Sequence, residues 1–223
     1  MYVGLRFLKI LFLCAMFLMS CNASAPLSPP DMREIMEEGN EYLKSGNYEN
    51  AIASYDAVVS SLEGTDDPNL SAAYYNRGLV LLETRKYAQA IYDFSSVIET
   101  NPQDADAYFN RGYAYAREAM LERAIEDYST SLALNPNNTD IHYALAMIHF
   151  KRNDYEKTAV VLSEAIILKP DFGKAYNGRG QAYLKSGLHN AALIDFRRAC
   201  ELGEKSGCIM MEITSQAHKN MDK

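Results

Sequence analysis

The chain has 223 residues, 48% of them hydrophobic, and a formal net charge of -7 carried by 29 acidic against 22 basic side chains. This is enough apolar material for one elongated domain with a continuous core, and the acidic balance excludes binding modes that need a basic face to neutralise nucleic-acid phosphates. Alternating apolar and polar runs are absent and the β-branched residues sit inside helical patterns, so the chain reads as all-α.

The first element in chain order is a leader. Arg6 and Lys9 precede an apolar run over 10–19, much shorter than the ~20 residues a spanning helix needs. Residues 1–20 therefore read as an export signal. The segment Leu18-Met19-Ser20-Cys21 resembles the cleavage box of bacterial lipoproteins, in which the cysteine becomes the lipidated first residue of the mature chain. A competing cut after Ala23-Ser24-Ala25 would place Pro26 beside the scissile bond, so Cys21 is taken as the lipidation site. Residues 21–30 then form a short, proline-rich tether. By the sorting pattern of such lipoproteins, Asn22 implies the outer membrane, with the chain facing the periplasm and touching the bilayer through its lipid alone. Loss of the leader also removes Arg6 and Lys9, which leaves the mature chain more acidic.

From residue 31 onward one pattern recurs five times. Gly78, Gly112, Ala146 and Gly180 follow one another at intervals of 34, and Gly39 precedes them by 39. Twelve residues after each comes a small residue (Ala51, Ala90, Ala124, Thr158, Ala192), and four further on a large one (Tyr55, Phe94, Tyr128, Leu162, Phe196). Pro102, Pro136 and Pro170 keep the same period. Around Gly78, Tyr74, Leu81 and Leu82 recur at helical spacing, and after a short break Tyr87, Ala90, Ile91, Phe94 and Val97 do the same. Each unit is thus a pair of amphipathic helices that cannot bury its apolar face alone and must stack on its neighbours. The units run over about 31–64, 68–102, 105–136, 139–170 and 173–204, the first gap being lengthened by a polar turn cluster at 64–68. The pattern resembles the tetratricopeptide repeat. That resemblance implies a right-handed α-solenoid of five helix-turn-helix repeats over 31–205, closed by a capping helix and tail in 206–223.

The repeats are not equivalent. Arg77, Arg111 and Arg179 each lie 16 residues before an aspartate, Asp93, Asp127 and Asp195, which suggests an ion pair between the two helices of those repeats. The first and fourth repeats lack both partners together, having Glu38 with Ser54 and Leu145 with Val161. Inheritance of the three copies by duplication, without any contact, is the alternative. In the fourth repeat Ala146 and Thr158 replace the usual small residues, and His142 and His149 replace tyrosines, so this unit is expected to pack less well. At the end of the fifth repeat, Ala199-Cys200-Glu201-Leu202-Gly203 to Gly207-Cys208 resembles the disulfide-stapled relatives of the repeat. That resemblance and an oxidising compartment imply a bridge between Cys200 and Cys208 that pins a terminal helix over about 206–220; two free thiols in a packed junction are the alternative.

With the Gly78 side buried, a rotation of about 100° per residue turns Tyr75, Asn76, Leu79 and Glu83 to the opposite side, which the resemblance assigns to the concave groove. The third repeat offers Phe109, Asn110, Tyr113 and Arg117, the fourth Tyr143, Ala144, Met147 and Lys151. Tyr75, Leu79, Phe109, Tyr113, Tyr143 and Met147 form an apolar stripe of the kind that marks partner sites, about half of it expected to be ordinary core. In related repeats, amides placed as Asn76 and Asn110 are here bind a peptide backbone. Arg117, Lys151 and Lys185 form a basic edge suited to an acidic peptide or a C-terminal carboxylate, but each sits in a last helical turn where the macrodipole already favours a cation, and that plainer reading is preferred. Met36, Asp106 and Asn110 stand where the carboxylate clamp of chaperone-binding relatives has basic residues, which argues against chaperone tails as ligands.

Nothing in the sequence points to chemistry. It has no Gly-rich phosphate loop and no nucleophile motif, and His142 and His149 lack a carboxylate at metal-ligand spacing. No catalytic residue, metal or cofactor is expected. The sequence reads as a non-enzymatic scaffold of the cell envelope, cradling a peptide or helix of a partner protein and assisting assembly of an envelope complex. The competing readings are a hydrolase-type enzyme that uses the repeats to hold substrate, and a structural module that associates with itself.

Overall fold

The computed structural model describes residues 31–221; the leader, Cys21 and the spacer at 22–30 lie outside them. Five helical hairpins follow one another: α1 (Met32–Lys44) with α2 (Tyr48–Leu62), α3 (Pro68–Glu83) with α4 (Tyr87–Thr100), α5 (Ala105–Arg117) with α6 (Leu121–Leu134), α7 (Thr139–Lys151) with α8 (Tyr155–Leu168), and α9 (Gly173–Lys185) with α10 (His189–Glu201). One more helix, α11 (Lys205–Met221), follows them. The described residues contain no strand. None of their helices is long and apolar enough to cross a membrane.

Local chemistry sets where the helices begin and turn. Asp31, Asn47, Asp67, Asp104, Asn138 and Asp154 cap α1, α2, α3, α5, α7 and α8, each side chain accepting from a first-turn N–H that has no helical partner. Every hairpin reverses through a residue in the left-handed region: Gly46 (φ 75°), Arg85 (60°), Ala119 (59°), Asn153 (60°) and Gly187 (77°). The N–H of the following residue then reaches back to close the helix end, as Met120 does to the Tyr115 carbonyl at 2.9 Å. A left-handed alanine carries a steric cost of roughly 1–2 kcal/mol, partly offset by the entropy a glycine would lose. Ala119→Gly should therefore stabilise the protein by about 0.5–1 kcal/mol, read as a raised urea midpoint. An unchanged or lowered midpoint would contradict this account of the turn.

Within each hairpin a glycine meets a ring. A Cβ added at Gly39, Gly78, Gly112 or Gly180 would lie 2.8, 2.8, 2.9 or 2.7 Å from the ring of Tyr55, Phe94, Tyr128 or Phe196, each of them buried. The fourth repeat differs from expectation. Leu162 replaces the ring, Ala146 uses the space this frees, and the Thr158 hydroxyl donates to the Asp154 carbonyl at 2.8 Å. All three side chains are fully buried, so the exchanges compensate one another and leave the unit filled.

Ion pairs tie the hairpins together. Arg77 grips both oxygens of Asp93 at 2.9 and 2.6 Å, Arg111 those of Asp127 at 2.8 and 2.8 Å, and Arg179 those of Asp195 at 2.7 and 2.8 Å. Each guanidinium also reaches the second helix of the preceding repeat, at Asp56 (2.7 Å), Ser95 (3.1 Å) and Ser163 (2.9 Å) respectively. Tyrosine rings flank the three arginines, Tyr74 beside Arg77, Tyr108 and Tyr115 beside Arg111, and Tyr176 and Tyr183 beside Arg179. In the fourth repeat Leu145 and Val161 replace the pair, and His142 and His149 replace the flanking rings. His142 Nδ1 lies 3.0 Å from the Asn138 carbonyl oxygen and so carries its proton there, while Nε2 lies 3.5 Å from Glu164. Burial pushes the His149 pKa down, which keeps that ring neutral.

The first helices of successive repeats touch one another, α1 to α3 and on to α9, whereas among the described residues no second helix touches the next second helix. The stack therefore curves, with α1, α3, α5, α7 and α9 forming its inner wall. At the far end α11 packs on α10 and α9. Gly207 allows this approach, since a Cβ there would lie 2.6 Å from the Ala199 Cβ, and Cys200 and Cys208 are joined across the same junction.

Candidate functional site

On the inner wall, α1, α3, α4 and α5 enclose a groove of about 630 Å³. Leu43, Leu79, Leu82 and Phe109 supply its apolar lining; Glu83, Arg85, Tyr87, Asn110, Tyr113 and Arg117 supply the polar groups. With six polar or charged side chains to four apolar ones, the groove is more polar than the mostly apolar pockets that take small molecules. Asn110 is half-buried and donates its amide to the Tyr75 hydroxyl at 3.2 Å. Burial, helped by Asp106 and Asp104, raises the Tyr75 pKa, so that hydroxyl stays neutral and accepts the bond. Asn76 donates in the same way to Asn40 Oδ1 at 3.1 Å, and Tyr55 donates to that oxygen from the other side at 2.8 Å. The two amides thus link neighbouring repeats as well as lying near the inner wall. Arg117 lies 5.0 Å from the Tyr87 ring centroid and 5.7 Å from that of Tyr113, whose hydroxyl accepts from its Nη1 at 2.9 Å.

The residues read from the sequence as the groove and its basic edge separate into those that line it and those that do not. Leu79, Phe109, Asn110, Tyr113 and Arg117 line the groove together. Tyr75 instead packs edge-on against Phe94 with ring centroids 5.8 Å apart. Tyr143 and Met147 belong to the apolar cluster between the fourth and fifth repeats, with the Phe172 ring 5.7 Å from Tyr143 and Gly178 immediately beside Met147. Burial raises the Tyr143 pKa accordingly. Lys151 and Lys185 are exposed and lie away from the groove lining.

Four lining residues escaped the sequence reading of the site: Leu43, Leu82, Arg85 and Tyr87. A signal for two of them was present, because Leu43 and Leu82 each follow the repeat glycine by four residues. Arg85 and Tyr87 belong to the hairpin turn and the start of the second helix, which a pattern confined to the first helices does not reach.

Comparisons with known proteins agree with this architecture. Family models described as tetratricopeptide repeat match residues 36–99, 143–206 and 105–138, and one described as TPR repeat matches 85–118. The chain is 32% identical to the mitochondrial import receptor subunit TOM70 of Rattus norvegicus over 66 residues, 30% of this chain and 11% of that protein. It is 34% identical to protein unc-45 homolog B of Xenopus laevis over 74 residues, 33% of this chain and 8% of that one. It thus spans about a tenth of the length of these curated relatives. A solved structure of MamA superimposes with a TM-score of 0.71 at 25% identity, covering 78% of this chain and 92% of that one. One of YrrB, titled a TPR protein with an unusual peptide-binding site, gives 0.68 at 17% identity and covers 85% and 92%. Repeat period, stacked hairpins and matching family models lead to one assignment: the chain belongs to the tetratricopeptide repeat family.

Proposed function

We propose that this protein is a non-enzymatic interaction scaffold, tethered to the outer membrane through a lipid on Cys21, whose inner wall holds an extended segment or helix of another envelope protein during assembly of an envelope complex. The groove between α1 and α5 carries the reading. It joins four apolar lining residues to six polar or charged ones, and its lining includes one carboxylate and neither histidine nor cysteine, a composition suited to binding rather than to acid-base or nucleophilic chemistry.

Site-specific photo-crosslinking in cells tests the groove. A crosslinker replacing Tyr113 should capture a partner that one replacing Tyr92, exposed on α4, does not. Capture from Tyr92 alone would move the interface to the outer face, and a product of twice the chain's own mass would identify a second copy as the occupant. The tether is tested separately by labelled fatty acid, whose incorporation should be lost in Cys21→Ala. Undiminished labelling in that variant would remove the lipid anchor from the reading.

A further inference from the structure

The charges at the groove narrow what it can hold, an inference that rests on the groove reading above. Among the described residues, Arg77, Arg111 and Arg179 each hold an aspartate, whereas neither Arg85 nor Arg117 forms an ion pair. Arg117 instead has aromatic neighbours. It lies against the rings of Tyr87 and Tyr113 and spends Nη1 on the Tyr113 hydroxyl. A guanidinium has five N–H donors in a planar fork, so most of the hydrogen-bonding capacity of this exposed side chain is unspent. The position in a last helical turn does not account for this arrangement. Lys151 and Lys185 share that turn in their own repeats and have no such aromatic setting among the cation-ring contacts of the described residues.

The unpaired fork lies at a groove whose apolar lining is Leu43, Leu79, Leu82 and Phe109. Glu83 lines the same groove and disfavours a run of acidic groups. We propose that the groove selects an extended peptide presenting one carboxylate beside one large apolar side chain. The carboxylate pairs with Arg117, with Arg85 adding positive potential, and the apolar side chain covers the leucines and Phe109. A planar guanidinium matches a carboxylate in two parallel hydrogen bonds. The carboxylate can come from Asp or Glu within the segment or from a chain end; the chemistry at Arg117 is the same.

The test is selection of random decapeptides, displayed with free or amidated C-termini, on the full chain purified in detergent. Enriched peptides should carry an acidic residue or a free carboxyl terminus next to Leu, Met, Phe or Tyr, and acid-rich peptides should be depleted. For a selected peptide measured by fluorescence anisotropy, Arg117→Gln should weaken binding about tenfold or more. Arg117→Lys should weaken it less, Leu79→Ala should weaken it comparably to the glutamine variant, and Lys205→Gln should leave it unchanged. Added salt should lower the affinity of the parent more than that of Arg117→Gln. Sensitivity to C-terminal amidation identifies the chain end as the source, and insensitivity identifies a side chain. Enrichment of neutral or basic peptides that need Leu79 and ignore Arg117 overturns the carboxylate proposal and leaves the groove reading standing. Peptides indifferent to both variants, or no enrichment at all, overturn the two together.

Discussion

Asp127→Ala should destabilise the protein by about 3 kcal/mol, because it leaves the Arg111 guanidinium largely buried with the Ser95 hydroxyl as its remaining side-chain hydrogen-bond partner. The pair is shielded, with 18% of the Arg111 side chain and 6% of the Asp127 side chain exposed. An unpaired charge in such a place keeps its desolvation penalty and loses the attraction that offset it. The protein contains its own control. Its fourth repeat carries Leu145 and Val161 where the third has Arg111 and Asp127, and Leu145 is buried there. The double variant Arg111→Leu, Asp127→Val should therefore recover most of the loss, since an apolar pair replaces a buried ion pair at little net cost. Ser95 remains satisfied in that background by donating to the Ile91 carbonyl at 2.7 Å. Urea denaturation of the parent, Arg111→Leu, Asp127→Val and the double variant measures the coupling. A double variant that loses as much as the two singles combined would show that the arginine acts through something other than its aspartate.

Gly78→Ala should cost about 1–3 kcal/mol, although alanine is the better helix former by about 0.8–1.0 kcal/mol. The added methyl would lie 2.8 Å from Cζ and 3.0 Å from Cε1 of Phe94, a ring with no exposed surface and therefore no direction in which to retreat. The fourth repeat again shows the permitted solution, alanine opposite leucine at Ala146 and Leu162. The sign should thus reverse with context. Phe94→Leu alone loses buried area, but adding Gly78→Ala to it should restore stability by filling the space the ring vacated. Thermal or urea unfolding of the four proteins checks this. Gly78→Ala found harmless with Phe94 present would mean that the two helices separate easily, and close glycine-ring contact could not then be what sets their spacing.

The fold was legible because each repeat writes it out again. A period of 34 carrying glycine, a small residue and a ring specifies two helices and their close approach, and four such copies with a fifth that has alanine and leucine instead leave little freedom for another arrangement. The interval of 16 between Arg77 and Asp93, or Arg111 and Asp127, spans one hairpin. It was readable for the same reason, both partners being local to one unit. The third hydrogen bond of each arginine was harder to read. Its partners, Asp56, Ser95 and Ser163, lie in the preceding repeat and differ in chemical type.

For the groove, the sequence by itself determined which side of each first helix turns away from its own hairpin, because rotation per residue is a property of the helix. It could not determine which of those residues stay uncovered. Tyr143 and Met147 hold the same helical positions as Phe109 and Tyr113, yet Phe172 and Gly178 of the next repeat pack against them. Leu79, Phe109 and Tyr113 still line open space. Leu43 and Arg117 come from first helices two repeats apart and meet at one groove only once three hairpins have stacked and curved. A helix carries its own orientation in its sequence, whereas exposure depends on the size and placement of side chains in the neighbouring repeats. Only the assembled solenoid decides that.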